Sequence, residues 1–139
     1  MKGFLLLAAV TVILGFMLLS CGSSSSIITG CDDFSKQKNI SKNVEIIQGN
    51  ELSVYLCSNP TTGFGWSESA NISNASVLKQ VSHVSITPKE KGLVGAAGQE
   101  LWKFRATSKG TAVLKMEYSR PWQGGEKAEW TFTLTVVVK

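Results

Sequence analysis

Histidine is almost missing from this chain: His83 is the only one among 139 residues. That excludes multi-histidine metal sites and forces any imidazole-dependent catalysis through one position. Proline and cysteine occur three times each, and charged side chains make up only 17% of the residues. The basic residues are scattered singly, with no run and no stripe interleaved with aromatics. Nucleic-acid binding therefore has no support, despite a formal charge of +4. A 3.6-residue apolar period never persists, so long amphipathic helices are not expected. The one long apolar run, Phe4 to Leu19, stops short of the roughly 20 residues that a spanning helix needs. No cofactor is expected.

What the chain does have is 43% hydrophobic residues, 13 glycines and four tryptophans. That fits one small domain with tight turns around an aromatic-rich core. Before it, Met1 to Ser20 carries a single charged side chain, Lys2, ahead of the apolar run, as in a secretory signal. The run ends in Leu18-Leu19-Ser20-Cys21, followed by Gly22 and four serines. This resembles the lipobox of prokaryotic lipoproteins, in which the cysteine is lipidated and becomes the first residue after cleavage. The resemblance implies an exported protein, lipid-anchored through Cys21 to the cell membrane of a prokaryote. The competing reading is an ordinary secretory peptide with a chance cysteine. Residues 1–20 are thus assigned to a signal peptide, 21–42, polar and weakly patterned, to a tether, and 43–139 to the domain. With Cys21 lipidated, Cys31 and Cys57 remain as an even pair in an oxidising compartment. Two readings stay open: a disulfide between them, or two unpaired thiols with Cys57 a buried strand residue.

Across the domain the apolar period is two. Leu52, Val54 and Leu56 alternate with polar or aromatic neighbours, as do Trp102, Phe104 and Ala106. Ala112, Leu114, Met116 and Tyr118 repeat the pattern, and Trp130, Phe132, Leu134, Val136 and Val138 give its clearest case. Weaker strands are expected at 44–48, 66–70 and 77–86. About seven one-face-apolar strands predict an all-β protein, an immunoglobulin-like antiparallel β-sandwich. Trp66 and Trp130 follow the alternation and are assigned to the core. His83, between Ser82 and Val84, is read as a partly exposed structural residue.

Three connections stand apart from the short turns at Gly49-Asn50 and Ser108-Lys109-Gly110. They run from Asn59 to Gly65, from Pro88 to Gly98, and from Ser119 to Gly125. If successive strands alternate in direction, all three emerge at the same end of the sandwich. Asn59-Pro60-Thr61-Thr62-Gly63-Phe64, followed by Trp66, resembles the NPTTG motif of the chagasin family of cysteine-peptidase inhibitors. Arg120-Pro121-Trp122 resembles that family's RPW motif. Between them, Gly95-Ala96-Ala97-Gly98 is similar to its GxGG loop, with Ala97 in place of one glycine.

The resemblance implies an immunoglobulin-like sandwich that reversibly inhibits papain-like cysteine peptidases by inserting three loops into the active-site cleft. Asn59 to Gly63 would be the central wedge over the catalytic cysteine and histidine, with the Thr61 and Thr62 hydroxyls as donors. Gly95 to Gly98 would lie beside the non-primed subsites through main-chain hydrogen bonds, and Arg120 and Trp122 on the opposite side. The expected partners are papain-like peptidases and, through the Cys21 lipid, a membrane; the protein is expected to act as a monomer and not as an enzyme. Two alternatives belong to other classes. One is a surface-anchored interaction module that binds a protein or carbohydrate with the same loops. The other is an enzyme built on Cys57 and His83, the one nucleophile–base pair the composition permits.

Overall fold

The computed structural model describes residues 23–88 and 97–139. Among the described residues nine strands make two packed sheets, with one short helix beside them. In chain order the elements are β1 (Ser25–Thr29), α1 (Cys31–Lys36), β2 (Asn39–Ile46), β3 (Glu51–Ser58), β4 (Gly65–Trp66), β5 (Asn71–Ile72), β6 (Leu78–Ile86), β7 (Gly98–Ala106), β8 (Gly110–Ser119) and β9 (Trp130–Val138). The first sheet has the order β1-β3-β7-β6, and the second β2-β9-β8-β4, with β5 also on β8. The all-β sandwich is observed. Its sheets are mixed, because β1 runs parallel to β3 and β2 parallel to β9, while the other pairs are antiparallel.

The period-two pattern places the core. Leu52, Val54, Leu56, Trp102 and Phe104 of one sheet meet Leu114, Met116, Phe132, Leu134 and Val136 of the other, all with at most 1% exposure. Burying a side chain of this size contributes about 1.5–3 kcal/mol, so these facing strands carry most of the stability. Trp66 is buried among them, edge-on to Trp102. Trp130 is half-buried and stacks on Tyr118 and Phe34.

The assignment of 21–42 to a tether is corrected. From Ser25 onward this stretch is structured: β1 extends the first sheet, α1 follows, and β2 begins at Asn39. Ile27 packs on the core, and Phe34, on the one turn and a half of α1, is wholly buried. A disulfide joins Cys31 to Cys57, with Cα atoms 5.1 Å apart, and fixes α1 to the end of β3. The signal peptide and Cys21 lie outside the described residues. Among the described residues no helix is long and apolar enough to cross a membrane.

The register defines two poles. Ser58, Ile86, Gly98, Ser119 and Trp130 share one end, where Ser58 pairs with Gly98, Ile86 with Gln99 and Ser119 with Gly65. Ser25, Ala106, Gly110 and Val138 lie at the other, with the turn 47–50.

Candidate functional site

The loop after β3 is built by its own sequence. Pro60 sets the first residue of a single 3₁₀ turn, Pro60–Thr62, and Gly63 closes it at φ +77°, a left-handed conformation that favours glycine. The Thr62 and Gly63 amides donate to the Asn59 and Pro60 carbonyls at 3.2 and 3.1 Å. The Thr61 hydroxyl donates to the Asn59 side-chain oxygen at 2.6 Å, and the Thr62 hydroxyl to the Asn59 carbonyl at 2.7 Å. Both protons are thus engaged within the turn, as short side chains in turns commonly do. What the two threonines offer outward is acceptor lone pairs, rather than the donors expected from the sequence. Pro60, Thr61 and Thr62 are all exposed.

The turn is held from below by β8. The Tyr118 hydroxyl accepts from the Asn59 amide at 2.8 Å and lies 3.3 Å from the Asn59 carbonyl, to which it donates. The Tyr118 ring stacks on Phe64 with centroids 5.5 Å apart. Trp66 donates its indole N–H to the Cys57 carbonyl at 2.8 Å, which satisfies its one polar atom inside the core.

The loop after β8 leans on the same turn. Arg120 lays its guanidinium over the Phe64 ring at 4.4 Å and 5.8 Å from the centroid of Trp122, a favourable cation–aromatic arrangement. It also reaches Glu126 at 3.6 Å. Arg120 is therefore a bracket between two loops. Its amide donates to the Glu126 carbonyl, Gly125 donates to the Trp122 carbonyl, and the Lys127 ammonium bonds the carbonyls of both Arg120 and Trp122. These bonds close the loop and leave Trp122 51% exposed at its tip. A methyl group on Gly63 would stand 2.7 Å from the Trp122 ring, so the two loops touch.

Of the middle motif, Gly95 and Ala96 lie outside the described residues. Gly98 opens β7 opposite Ser58, and a Cβ there would meet the Ile86 carbonyl oxygen at 2.5 Å. Its role is to let β6 and β7 approach at the neck of that loop. Ala97, exposed, joins Asn59, Thr62 and Arg120 in lining an open groove of about 650 Å³, whose other wall includes Asp32 and Ser35 of α1. Lys38, on the same groove, sits 2.6 Å from Glu129; this hydrogen bond holds its ammonium above the usual 10.5.

Sequence reasoning did not foresee the polar cluster beneath the loops. Glu100, only 6% exposed, accepts from the Ser58 hydroxyl at 2.7 Å, and its other oxygen lies 2.7 Å from His83 Nε2. The His83 ring stacks on Trp102 at 4.6 Å. A buried carboxylate needs such partners. The Cys57–His83 pair of the enzyme alternative is not assembled, since the Cys57 sulfur is bonded to Cys31 and His83 faces Glu100. Among the described residues no group of three or more histidine, cysteine, aspartate or glutamate side chains could hold a metal ion.

The loops that leave β3 and β8, together with Ala97, thus share one pole of a two-sheet sandwich. Residues 45–136 match the family model described as "Chagasin family peptidase inhibitor I42", and the chain belongs to that family. It is 33% identical over 92 residues to chagasin of Trypanosoma cruzi, covering 62% of this chain and 79% of that protein. It is 26% identical over 88 residues to amoebiasin-2 of Entamoeba histolytica, covering 63% and 70%. Among solved structures, a cysteine protease inhibitor from Entamoeba histolytica superposes with a TM-score of 0.64 at 20% identity, over 84% of this chain and 97% of its own. PbICP-C, solved in complex with falcipain-2, does so at 0.63 and 15% identity, over 83% and 99%. These two likenesses speak to the fold.

Proposed function

We propose that this chain is a reversible, non-covalent inhibitor of papain-like cysteine peptidases, acting as a monomer. Its three loops enter the active-site cleft together, with Asn59 to Gly63 as the central wedge. The observation that carries this reading is the contact of Gly63 with Trp122 at the pole that Ala97 also lines. Motifs far apart in sequence thereby become one surface. Family membership and the falcipain-2 complex of a structural neighbour support the same class of target.

The geometry also explains why such an inhibitor would survive uncut. A substrate must present an extended backbone with one carbonyl aligned for attack. The wedge is a closed 3₁₀ turn in which the Asn59 and Pro60 carbonyls are tied to Thr62 and Gly63 amides. Its exposed tip fills the cleft without offering a strand to cleave. Trp122, rigidly based and half exposed, supplies an aromatic anchor beside it.

Titration of papain by the purified chain against a fluorogenic peptide tests the proposal. Competitive inhibition with the inhibitor recovered at its full mass is expected. Replacing both Thr61 and Thr62 by Glu should abolish it, because two carboxylates would be driven into a closed cleft. Papain left fully active by a large excess of folded protein would refute the reading. We further propose that the chain is exported and held to the cell membrane by lipid on Cys21. Cys21→Ser should then move it to the soluble fraction or block its processing, and unchanged membrane association with normal cleavage would refute the anchor.

A further inference from the structure

Where the lipid attaches decides which way the domain faces. This step rests on the Cys21 anchor proposed above, and does not require the loops to inhibit anything. The tether expected from the sequence would let the domain tumble freely above the bilayer. Instead β1 begins at Ser25, and the Ser23 hydroxyl is bonded by the Asn50 side chain at 2.9 Å. Two residues extend at most about 7 Å, so Cys21 stays that close to Ser23. Because β1 runs parallel to β3, with Ser25 opposite Leu52, its start lies at the pole remote from Asn59. The ten residues of β8, at about 3.3 Å each, put roughly 30 Å between the poles.

That remote pole carries features suited to a bilayer surface. Ile47, at the turn between β2 and β3, is 57% exposed. A small cleft of about 230 Å³ runs from Ser23 past Ile47 to Lys139. Lys109 projects from the turn between β7 and β8. Glu45 is matched by Lys139 and Glu51 by Arg105, so the acidic groups beside the turn are already paired with cations.

We propose that the turn 47–50 and Lys109 form a membrane-apposed surface. The lipid-anchored domain stands upright on the bilayer and presents residues 59–64 and 120–125 away from it. The partner is the headgroup layer of the membrane that holds the Cys21 acyl chains.

The test uses the full chain, processed in a lipoprotein-making bacterium and reconstituted in vesicles of phosphatidylethanolamine and phosphatidylglycerol. Ile47→Cys and Thr61→Cys variants are labelled with a small fluorophore, Cys31 and Cys57 being bonded to each other. A nitroxide-headgroup lipid should quench the dye at 47 by half or more, as an order-of-magnitude expectation for contact against a separation of roughly 30 Å, and leave the dye at 61 unchanged. Equal quenching at both positions, quenching at 61 alone, or quenching at neither overturns the upright orientation. Intact mass on the same sample reads acylation separately, and an unacylated Cys21 overturns the anchor and the orientation together. Quenching confined to 47, with the unlabelled wild-type chain on the same vesicles failing to inhibit papain, supports the orientation and refutes the inhibitory reading alone.

Discussion

A methyl group at Gly63 probes whether the first and third loops work as one body. Two effects combine in Gly63→Ala. Its φ of +77° puts an L-residue in the left-handed region, at a cost of about 1 kcal/mol. The added Cβ would also lie 2.7 Å from Trp122 Cη2 and 3.3 Å from Cζ3, whereas carbon atoms rest at about 3.5–4.0 Å. The indole must therefore retreat by roughly 1 Å from that contact distance, and being half exposed it has room to swing outward. The domain should fold, with a stability loss of about 1–2 kcal/mol. Inhibition should suffer more than stability does, since truncating an aromatic anchor removes about 1–3 kcal/mol of binding, roughly 5- to 150-fold. In a Trp122→Ala background the steric effect has no target, and only the backbone penalty remains. Titrating papain with the wild type, both single variants and the double variant closes the cycle, with melting curves as the control for folding. A coupling of about 1 kcal/mol is expected between two residues in contact. Equal fold-losses from Gly63→Ala in both backgrounds, or wild-type inhibition by Gly63→Ala alone, would refute the idea of a shared surface.

Three further outcomes follow from the contacts around the wedge. Tyr118→Phe removes the acceptor of the Asn59 amide, and should lower stability by about 1–2 kcal/mol while weakening inhibition; melting and titration that both match wild type would refute its role. Reducing the Cys31–Cys57 bridge, which spans a sequence separation of 26, should lower stability by about 3–4 kcal/mol in the chain-entropy model, seen as an earlier urea midpoint; an unshifted midpoint would contradict this. His83→Ala leaves buried Glu100 with the Ser58 hydroxyl as its remaining described partner, and should destabilise by about 2–4 kcal/mol, so an unchanged melting temperature would mean the pair contributes nothing.

The strands that build the core were legible because each buries one face over many residues. Leu52 to Leu56, Trp102 to Ala106 and Phe132 to Val138 obey period two without interruption, and their inward sets are the buried ones. The N-terminal elements left no such trace. β1 has five residues and α1 six, too few to display a period, and Phe34 is buried by contacts with Trp66 and Trp130 rather than by local pattern. In β6 a bulge between Gln80 and Ser82 breaks the alternation, which made that strand look weaker than it is. The parallel pairings are invisible in a single sequence, because nothing near β1 or β2 names a distant partner. The exposed loop residues were legible as motifs, but their supports were not. Tyr118 read as one more inward strand residue, and the reach of its hydroxyl to Asn59 depends on where two strands end in space. Glu100 sits in an inward position of β7 and is tolerated there only because Ser58 and His83 arrive from neighbouring strands.

The disulfide has a mechanical consequence for an anchored protein. Suppose a bound peptidase pulls on the loops while lipid holds Cys21. Tension enters at β1, crosses from Cys31 to Cys57, and leaves two residues later at Asn59. The 26-residue stretch that the bridge spans is thereby taken off the load path and cannot unspool. The five register pairs between β1 and β3 are bypassed in the same way; without the bridge, being parallel and pulled from opposite ends, they would be loaded in shear and have to give way together rather than one at a time. If the bridge is reduced, the same pull can pay out roughly 90 Å of slack chain, and the wedge would no longer be held at a fixed height above its membrane.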